Sequence, residues 1–217
     1  MSPSPGEPPE AGALLQRAAG GDLGAWGALL TEHHGRLCRM VEFRLDRRLR
    51  GRVDASDVVQ EAYAEAADHR ADYFGRPQVP LFLWLRGIVA KKLLEVHRHH
   101  LGTGMRDAAR EVVPRPRSSP DATSAALVEE LSGHSMGPKT AAERSEVKAR
   151  LRAALDGMEA TDREVLALRH FEQLTNGEAA AVLGIEERAA AKRYVRALKR
   201  LKDILASMPG GLTEVRI

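Results

Sequence analysis

The sequence predicts an all-α protein, in which two small helical domains are joined by a flexible linker. Ala, Leu, Arg and Glu dominate the composition and aromatic residues make up only 4% of the chain, which favours helix over sheet. Apolar residues recur at three- and four-residue spacing, as on one buried helix face. Two blocks with this spacing flank a segment rich in Pro, Ser and Gly, which predicts the linker.

The composition also limits the classes of protein to consider. The single cysteine, Cys38, excludes an intramolecular disulfide framework and favours a reducing cytoplasm. No run of about 18 apolar residues occurs, so membrane insertion is not expected. Acidic residues crowd positions 54–68 and basic residues crowd positions 188–202. Two surfaces of opposite charge indicate two different macromolecular partners.

The predicted boundaries of the helices and domains fall at helix-breaking residues. Gly51, Gly75, Pro77 and Pro80 interrupt the first block, and Gly102 and Gly104 close its last helix. In the linker, the apolar patch 125–131 predicts a short helix. The predicted sections are a disordered tail at 1–10, a helical domain at 11–101, the flexible linker at 102–139, a second helical domain at 140–208 and a tail at 209–217.

The second domain carries a helix-turn-helix pattern. Capping boxes at Thr161–Glu164 and Thr175–Glu178 predict two helix starts. The second of these helices is short and stops at Gly184, which accepts a turn conformation that a Cβ would resist. Ile185 is predicted to fill the corner before a longer last helix begins near Glu187.

The last helix separates apolar from basic residues. Its predicted buried face consists of Ala191, Tyr194, Val195, Leu198, Leu201 and Leu205. Its basic side carries Arg188, Lys192, Arg193, Arg196, Lys199 and Arg200. On their own, these basic residues would be interpreted as a solvent-exposed face of an amphipathic helix. Together with the capped short helix and the glycine turn, they favour DNA binding, in which cations meet phosphates and base edges.

An acidic helix begins at Asp54 in the first domain. Its predicted buried residues are Val58, Val59, Ala62, Tyr63 and Ala66. An acidic stripe lies beside them, formed by Asp57, Glu61, Glu65 and Asp68, with Gln60 next to it. Such a surface suits a basic protein partner and repels DNA. On these residues alone, an ordinary acidic surface helix is the simpler interpretation.

Several motifs resemble those of extracytoplasmic-function (ECF) sigma factors of the sigma-70 family. Asp57-Val-Val-Gln-Glu61-Ala-Tyr63 resembles the polymerase-binding helix of their region 2, and residues 21–26 are similar to the opening turn of that region. Residues 82–88 resemble the promoter-melting helix. Residues 162–171 and 175–185 resemble region 4. The order of these motifs, with a linker between the two groups, is more specific than any single one.

The resemblance implies partners and residue roles. Region 2 would grip RNA polymerase core and open the −10 element, and region 4 would hold the polymerase flap and read the −35 element of promoter DNA. An anti-sigma partner is the family expectation. Lys91 and Ala191 stand where many members have Asn and Arg, which affects the promoter sequence that is read. By position, polymerase would be contacted by Asp57, Gln60 and Glu61, −10 DNA by Arg86, Lys91, Lys92 and Arg98, and −35 DNA by Arg188, Ala191, Lys192, Arg193 and Arg196.

Neither catalysis nor a bound metal or cofactor is predicted. No nucleophile–base–acid set, glycine-rich phosphate loop or metal-ligand cluster stands out. Three functions remain: a sigma factor, a stand-alone helix-turn-helix regulator that binds DNA without polymerase, and a helical adaptor for other proteins. The acidic helix at 57–68 favours the first over the second, because a simple repressor does not need that surface.

Overall fold

The computed structural model describes residues 9–75, 79–101, 120–135 and 140–207. Helices dominate this part of the chain and no β-strand longer than an isolated bridge occurs in it, which confirms the all-α prediction. Residues 102–119 and 136–139 of the predicted linker lie outside it, as do residues 1–8 and 208–217. The α-helices are α1 Pro9–Ala19, α2 Leu23–Arg44, α3 Ala55–Asp68, α4 Arg70–Gly75, α5 Leu81–Leu101, α6 Pro120–Ser135, α7 Ala141–Asp156, α8 Ala160–Leu166, α9 Asn176–Leu183 and α10 Glu187–Ser207.

The chain divides into two compact units. Unit 1 comprises Met1–Glu42 and Leu49–Pro116, and unit 2 comprises Phe43–Arg48 and Arg117–Ile217. None of the described helices is both long and apolar enough to cross a membrane.

Helix α3 is the central packing element of unit 1. Asp54 caps its start, since the Asp54 carboxylate accepts a hydrogen bond from the backbone N–H of Ser56 at 2.7 Å. All five apolar residues predicted to be buried on this helix are buried, and α3 packs against α5. Tyr63 extends the packing to α2, where its hydroxyl donates to the carbonyl of Leu30 at 2.6 Å. The opposite side of α3 is thereby left for the charged residues.

An aromatic cluster joins α2, α4 and α5 in unit 1. The ring centroids of Tyr73 and Trp84 are 4.8 Å apart, and Trp26 lies 6.4 Å from Trp84 and 6.0 Å from Phe74. Trp26 and Tyr73 are buried and Trp84 is half-buried. Offset and edge-on ring pairs of this kind add stability beyond the area they bury. Trp84 therefore anchors the start of α5 in the core, as its surroundings in the sequence indicate.

Helix α6 belongs to the core of unit 2. It is longer than the apolar patch 125–131 and packs against α7 and α8. Leu127, Val128 and Leu131 are buried. Polar contacts also hold it, since Thr123 donates from Oγ1 to Glu164 Oε2 at 2.7 Å and Lys148 Nζ lies 2.9 Å from a carboxylate oxygen of Glu129.

The start of α8 differs from the prediction. Thr161 does not form a capping box, because the helix begins at Ala160 after Glu159, whose side chain makes no capping hydrogen bond. Glu164, the acid that would close the box, is the acceptor for Thr123 instead. A capping box occurs at the start of α7, where Thr140 and Glu143 exchange side-chain and backbone hydrogen bonds.

Arg163 fixes the turn between α7 and α8. Its side chain is buried, and its Nη1 donates to the carbonyls of Leu155, Asp156 and Met158 at 2.9, 3.1 and 2.6 Å. The last carbonyls of a helix have no partner within the helix. The guanidinium of Arg163 therefore satisfies the carboxyl end of α7 and holds α8 in position.

Candidate functional site

The helix-turn-helix of unit 2 forms as predicted. Thr175 and Glu178 make a capping box at the start of α9, with Glu178 N–H donating to Thr175 Oγ1 at 3.1 Å. The helix ends at Gly184, which has φ +68° and ψ +37°, the left-handed conformation that favours glycine. The N–H of Ile185 then donates to the carbonyl of Ala180 at 3.1 Å. Helix α10 starts two residues later, so its first turns are presented next to α9.

The buried face of α10 is rotated relative to the prediction. Ala190, Ala197, Leu201 and Leu205 are buried against the unit, at spacings of seven and four residues. Val195, which was predicted to be buried, is 68% exposed. The prediction included Leu201 and Leu205 but left out Ala190 and Ala197. Alanine at these two positions lets α8 and α9 pack closely on α10.

The rotation defines an open face on α10, formed by Arg188, Lys192, Val195 and Lys199. All four residues are exposed. The three cations form no ion pair within the part of the chain that the structure describes. An exposed row of unpaired cations with one apolar residue among them is suited to phosphate oxygens and base edges. Ala191, also predicted to contact DNA, is half-buried at the edge of this face.

Three arginines line the flank of α10 and are held by the turn between α7 and α8 and by the first residues of α8. Arg193 Nη1 lies 2.8 Å from both Glu159 and Asp162. Arg196 Nη2 lies 2.9 and 3.0 Å from the two oxygens of Asp162, and Arg200 donates to the carbonyl of Gly157 at 3.1 Å. Asp162 is buried. Two of the residues predicted to bind DNA are thus paired with acids that sequence analysis did not single out.

The acidic residues of α3 face solvent in unit 1. Asp57, Gln60 and Glu61, predicted to contact polymerase, are all exposed. None of the three makes a side-chain hydrogen bond or an ion pair with a described residue. Their charge and hydrogen-bonding capacity are therefore available to a partner.

Glu65 connects the acidic stripe to the basic residues of α5. Lys91 Nζ lies 2.7 Å from Glu65 Oε1, and Lys92 Nζ lies 3.9 Å from Glu65 Oε2 and 3.0 Å from Glu95 Oε2. The hydrogen bond that Lys92 donates to Glu95 contributes most to raising the pKa of Lys92. Lys91 is exposed, whereas Lys92 and Arg98 are half-buried. One carboxylate of α3 therefore contacts both of the lysines predicted to bind −10 DNA.

Arg86 differs from the other predicted DNA contacts. Its side chain is 4% exposed in the core of unit 1. A guanidinium at this depth reaches DNA only if the core opens. The placement argues against the predicted −10 contact of Arg86.

Cys38 is a packing residue. Its sulfur lies 3.5 Å from His34 Nδ1, and burial raises the pKa of the Cys38 thiol. A raised pKa lowers the fraction of reactive thiolate. Within residues 9–75, 79–101, 120–135 and 140–207, no group of three or more His, Cys, Asp or Glu side chains could hold a metal ion.

Comparison with known proteins agrees with this arrangement. The family model "Sigma-70, region 4" matches residues 148–201, which run from α7 into α10 and include α9, the turn at Gly184 and α10 as far as Leu201. The ECF RNA polymerase sigma factor SigD of Mycobacterium tuberculosis is 29% identical over 191 residues, covering 88% of this chain and 82% of SigD. The chain is thus similar to sigma factors of the ECF group over most of its length. The sigma factor NccH of Alcaligenes xylosoxydans xylosoxydans is 29% identical over 202 residues, covering 90% of this chain and 94% of NccH.

A solved structure shares the fold of this chain. CnrH, in complex with the cytosolic domain of CnrY, matches with a TM-score of 0.50 and 24% sequence identity over 91% of this chain and 97% of CnrH. The turn at Gly184 and most of α10 lie within the residues that match region 4 of the sigma-70 family.

Proposed function

We propose that this chain is a sigma factor that binds RNA polymerase core and directs it to promoters, which it recognises and melts. Unit 1 contacts polymerase and −10 DNA, and unit 2 reads −35 DNA. The observation that supports this most is the division of charge between the units: exposed, unpaired acids on α3 of unit 1, and exposed, unpaired cations on a complete helix-turn-helix in unit 2. Each surface suits a different partner.

In the proposal, Asp57, Gln60 and Glu61 form the polymerase contact. The buried side of α3 is fully used in the core of unit 1, so the exposed side is available for binding without any cost in folding. Charges that have no internal partner lose no hydrogen bond when a basic surface replaces water. Gel filtration of the full chain with core polymerase tests this step: the proposal requires coelution, and separate elution at physiological salt contradicts it.

The −35 contact uses the open face of α10. Replacing Arg188 and Lys192 together by Ala is expected to reduce the salt dependence of promoter binding by the holoenzyme. Each lost phosphate contact lowers the slope of log K against log salt by about 0.9, so the double variant should lose about 1.8. The measurement is binding to promoter duplex over a salt series.

The matched control for this test is Arg144→Ala with Arg150→Ala on α7. Both residues are exposed, so this variant removes the same charge from another surface of the unit. Its slope should equal that of the wild type. Equal slopes for all three proteins would contradict the assignment of the open face to DNA. Tight binding of the chain to DNA without polymerase would favour a stand-alone regulator.

The −10 contact is assigned to Lys91, Lys92 and Arg98. Because Glu65 holds Lys91 at 2.7 Å, Glu65→Gln is expected to release Lys91 for phosphate, whereas Lys92 keeps its partner Glu95. Holoenzyme carrying this variant should bind single-stranded −10 DNA more tightly at low salt. The slope of log K against log salt should be steeper by about 0.7 for the phosphate that Lys91 gains.

The control for Glu65→Gln is Asp68→Asn. Asp68 is an exposed acid on the same helix and forms no ion pair with a described residue, so its removal changes the net charge equally and releases no lysine. Equal effects of the two variants would show that only overall charge matters. That result would rule out the coupling through Glu65.

We also propose that an anti-sigma protein controls this sigma factor. CnrH, which shares the fold, has been solved with the cytosolic domain of CnrY. A partner that covers the acidic residues of α3 would exclude polymerase by occupying the same surface.

A further inference from the structure

We infer that Asp162 is a positioning residue that orients Arg196 to read a guanine in −35 DNA. The inference deepens the proposed function and rests on it. It assigns different roles to Arg193 and Arg196, which sequence analysis treated alike. Three structural features support it: the hydrogen-bonding pattern of Arg196, the burial of Asp162 and the location of both beside the open face of α10.

The first feature is the edge of the guanidinium that Arg196 uses. Its Nε lies 3.3 Å from Asp162 Oδ2, and its Nη2 lies 2.9 and 3.0 Å from the two carboxylate oxygens. The guanidinium of Arg196 therefore contacts the carboxylate of Asp162 through the edge formed by Nε and Nη2. Its Nη1 makes no hydrogen bond with a residue in the described ranges. The edge formed by Nη1 and Nη2 remains for a ligand, and this edge matches the O6 and N7 acceptors of guanine.

The second feature is the contrast in exposure within the pair. The Asp162 side chain is 7% exposed, whereas that of Arg196 is 59% exposed. A buried carboxylate is a fixed anchor, and it restricts an arginine that would otherwise sample many rotamers. Fixing the donor before binding reduces the entropy that recognition would cost. Arg196 is thus held in one orientation with its outer edge in solvent.

The third feature is position. Arg196 borders the open face on the helix surface. It lies four residues after Lys192, one after Val195 and three before Lys199. Arg193 lies farther from it, and its Nη1 is shared between Glu159 and Asp162 with the side chain 32% exposed. Arg193 is therefore a structural link between α10 and the start of α8, and Arg196 is the reader.

The experiment measures base preference by holoenzyme on a promoter library randomised through the −35 element. Wild type should prefer G at one position by about 5- to 100-fold, the range for a bidentate arginine contact. Asp162→Asn and Arg196→Ala should each reduce that preference to under about 3-fold, at the same position, with other positions unchanged. The double variant should lose no more than either single one.

Glu159→Gln is the matched control. It removes an equal charge from the same cluster, but Glu159 lies 4.0 Å from Arg196 and holds mainly Arg193, so the preference for G should persist. If Asp162→Asn fails to fold, Arg196→Lys and Arg193→Lys replace it. Both substitutions keep the positive charge and remove the planar guanidinium. Only Arg196→Lys should lose the preference for G.

The outcomes separate the inference from the function on which it rests. A wild-type holoenzyme without any base preference in the −35 element would overturn the proposed reading of −35 DNA and the inference with it. A wild-type preference that survives in Asp162→Asn, falls evenly at every position, or is lost equally in Glu159→Gln would overturn only the role of Asp162. A preference lost in Arg193→Lys and kept in Arg196→Lys would reverse the roles assigned to the two arginines.

Discussion

Replacing Glu61 by Lys is expected to abolish binding to RNA polymerase core while leaving the protein folded. Glu61 is exposed on α3 and makes no ion pair with a described residue, so its replacement disturbs no internal contact. In the complex, the new cation would face a basic partner surface. Like charges brought together at an interface cost several kcal/mol, and each 1.4 kcal/mol is a factor of about ten in Kd. We expect an affinity loss of at least about 100-fold in a fluorescence titration.

The control for Glu61→Lys is Asp72→Lys on α4. Asp72 is 85% exposed and outside the acidic stripe, so this variant makes the same change in charge at another place in unit 1. It should bind polymerase nearly as well as the wild type. Wild-type affinity of Glu61→Lys, or an equal loss in both variants, would show that α3 is not the polymerase-binding surface.

Replacing Arg163 by Met is expected to destabilise unit 2 by about 3 kcal/mol or more, because it removes the buried donor to the carbonyls of Leu155, Asp156 and Met158 at the turn between α7 and α8. Met fills much of the same space, so the lost hydrogen bonds dominate. For a domain of this size, each kcal/mol lowers Tm by roughly 4–8 °C. The melting transition of unit 2 should therefore fall by roughly 12 °C or more in a circular dichroism scan.

Arg200→Met is the comparison for this stability test. Arg200 is exposed and donates one hydrogen bond, to the carbonyl of Gly157, which water can replace. Its loss should cost less than about 1 kcal/mol. Equal melting temperatures for the two variants would mean that the buried guanidinium does not hold the end of α7.

Local features of the fold could be predicted from the sequence because neighbouring residues determine them. The cap at Asp54, the capping box at Thr175 and the turn at Gly184 each depend on one residue and its next few neighbours. The buried set of α3 followed from helical spacing. The box at Thr161 was wrong, because its partner Glu164 is bonded to Thr123, 41 residues away, a contact that no local pattern contains.

In the candidate sites, too, local features could be predicted from the sequence and contacts between distant residues could not. Sequence analysis found the basic side of α10 and the acidic side of α3, but it did not find the pairing between elements. Asp162 meets Arg196 across 34 residues of sequence, and Glu65 meets Lys91 across 26. The exposure of Val195 was missed for a related reason: hydrophobicity ranks Val above Ala, whereas close packing against α8 and α9 requires alanine at the contact.

Transcription from a promoter library by core polymerase with and without the chain tests the central claim most directly. The 5′ ends of the transcripts are mapped. If the chain is the promoter-specificity factor, adding it should produce starts downstream of one shared pair of −35 and −10 sequences, and Glu61→Lys should remove them. Starts that are unchanged by the chain would contradict a role in promoter selection.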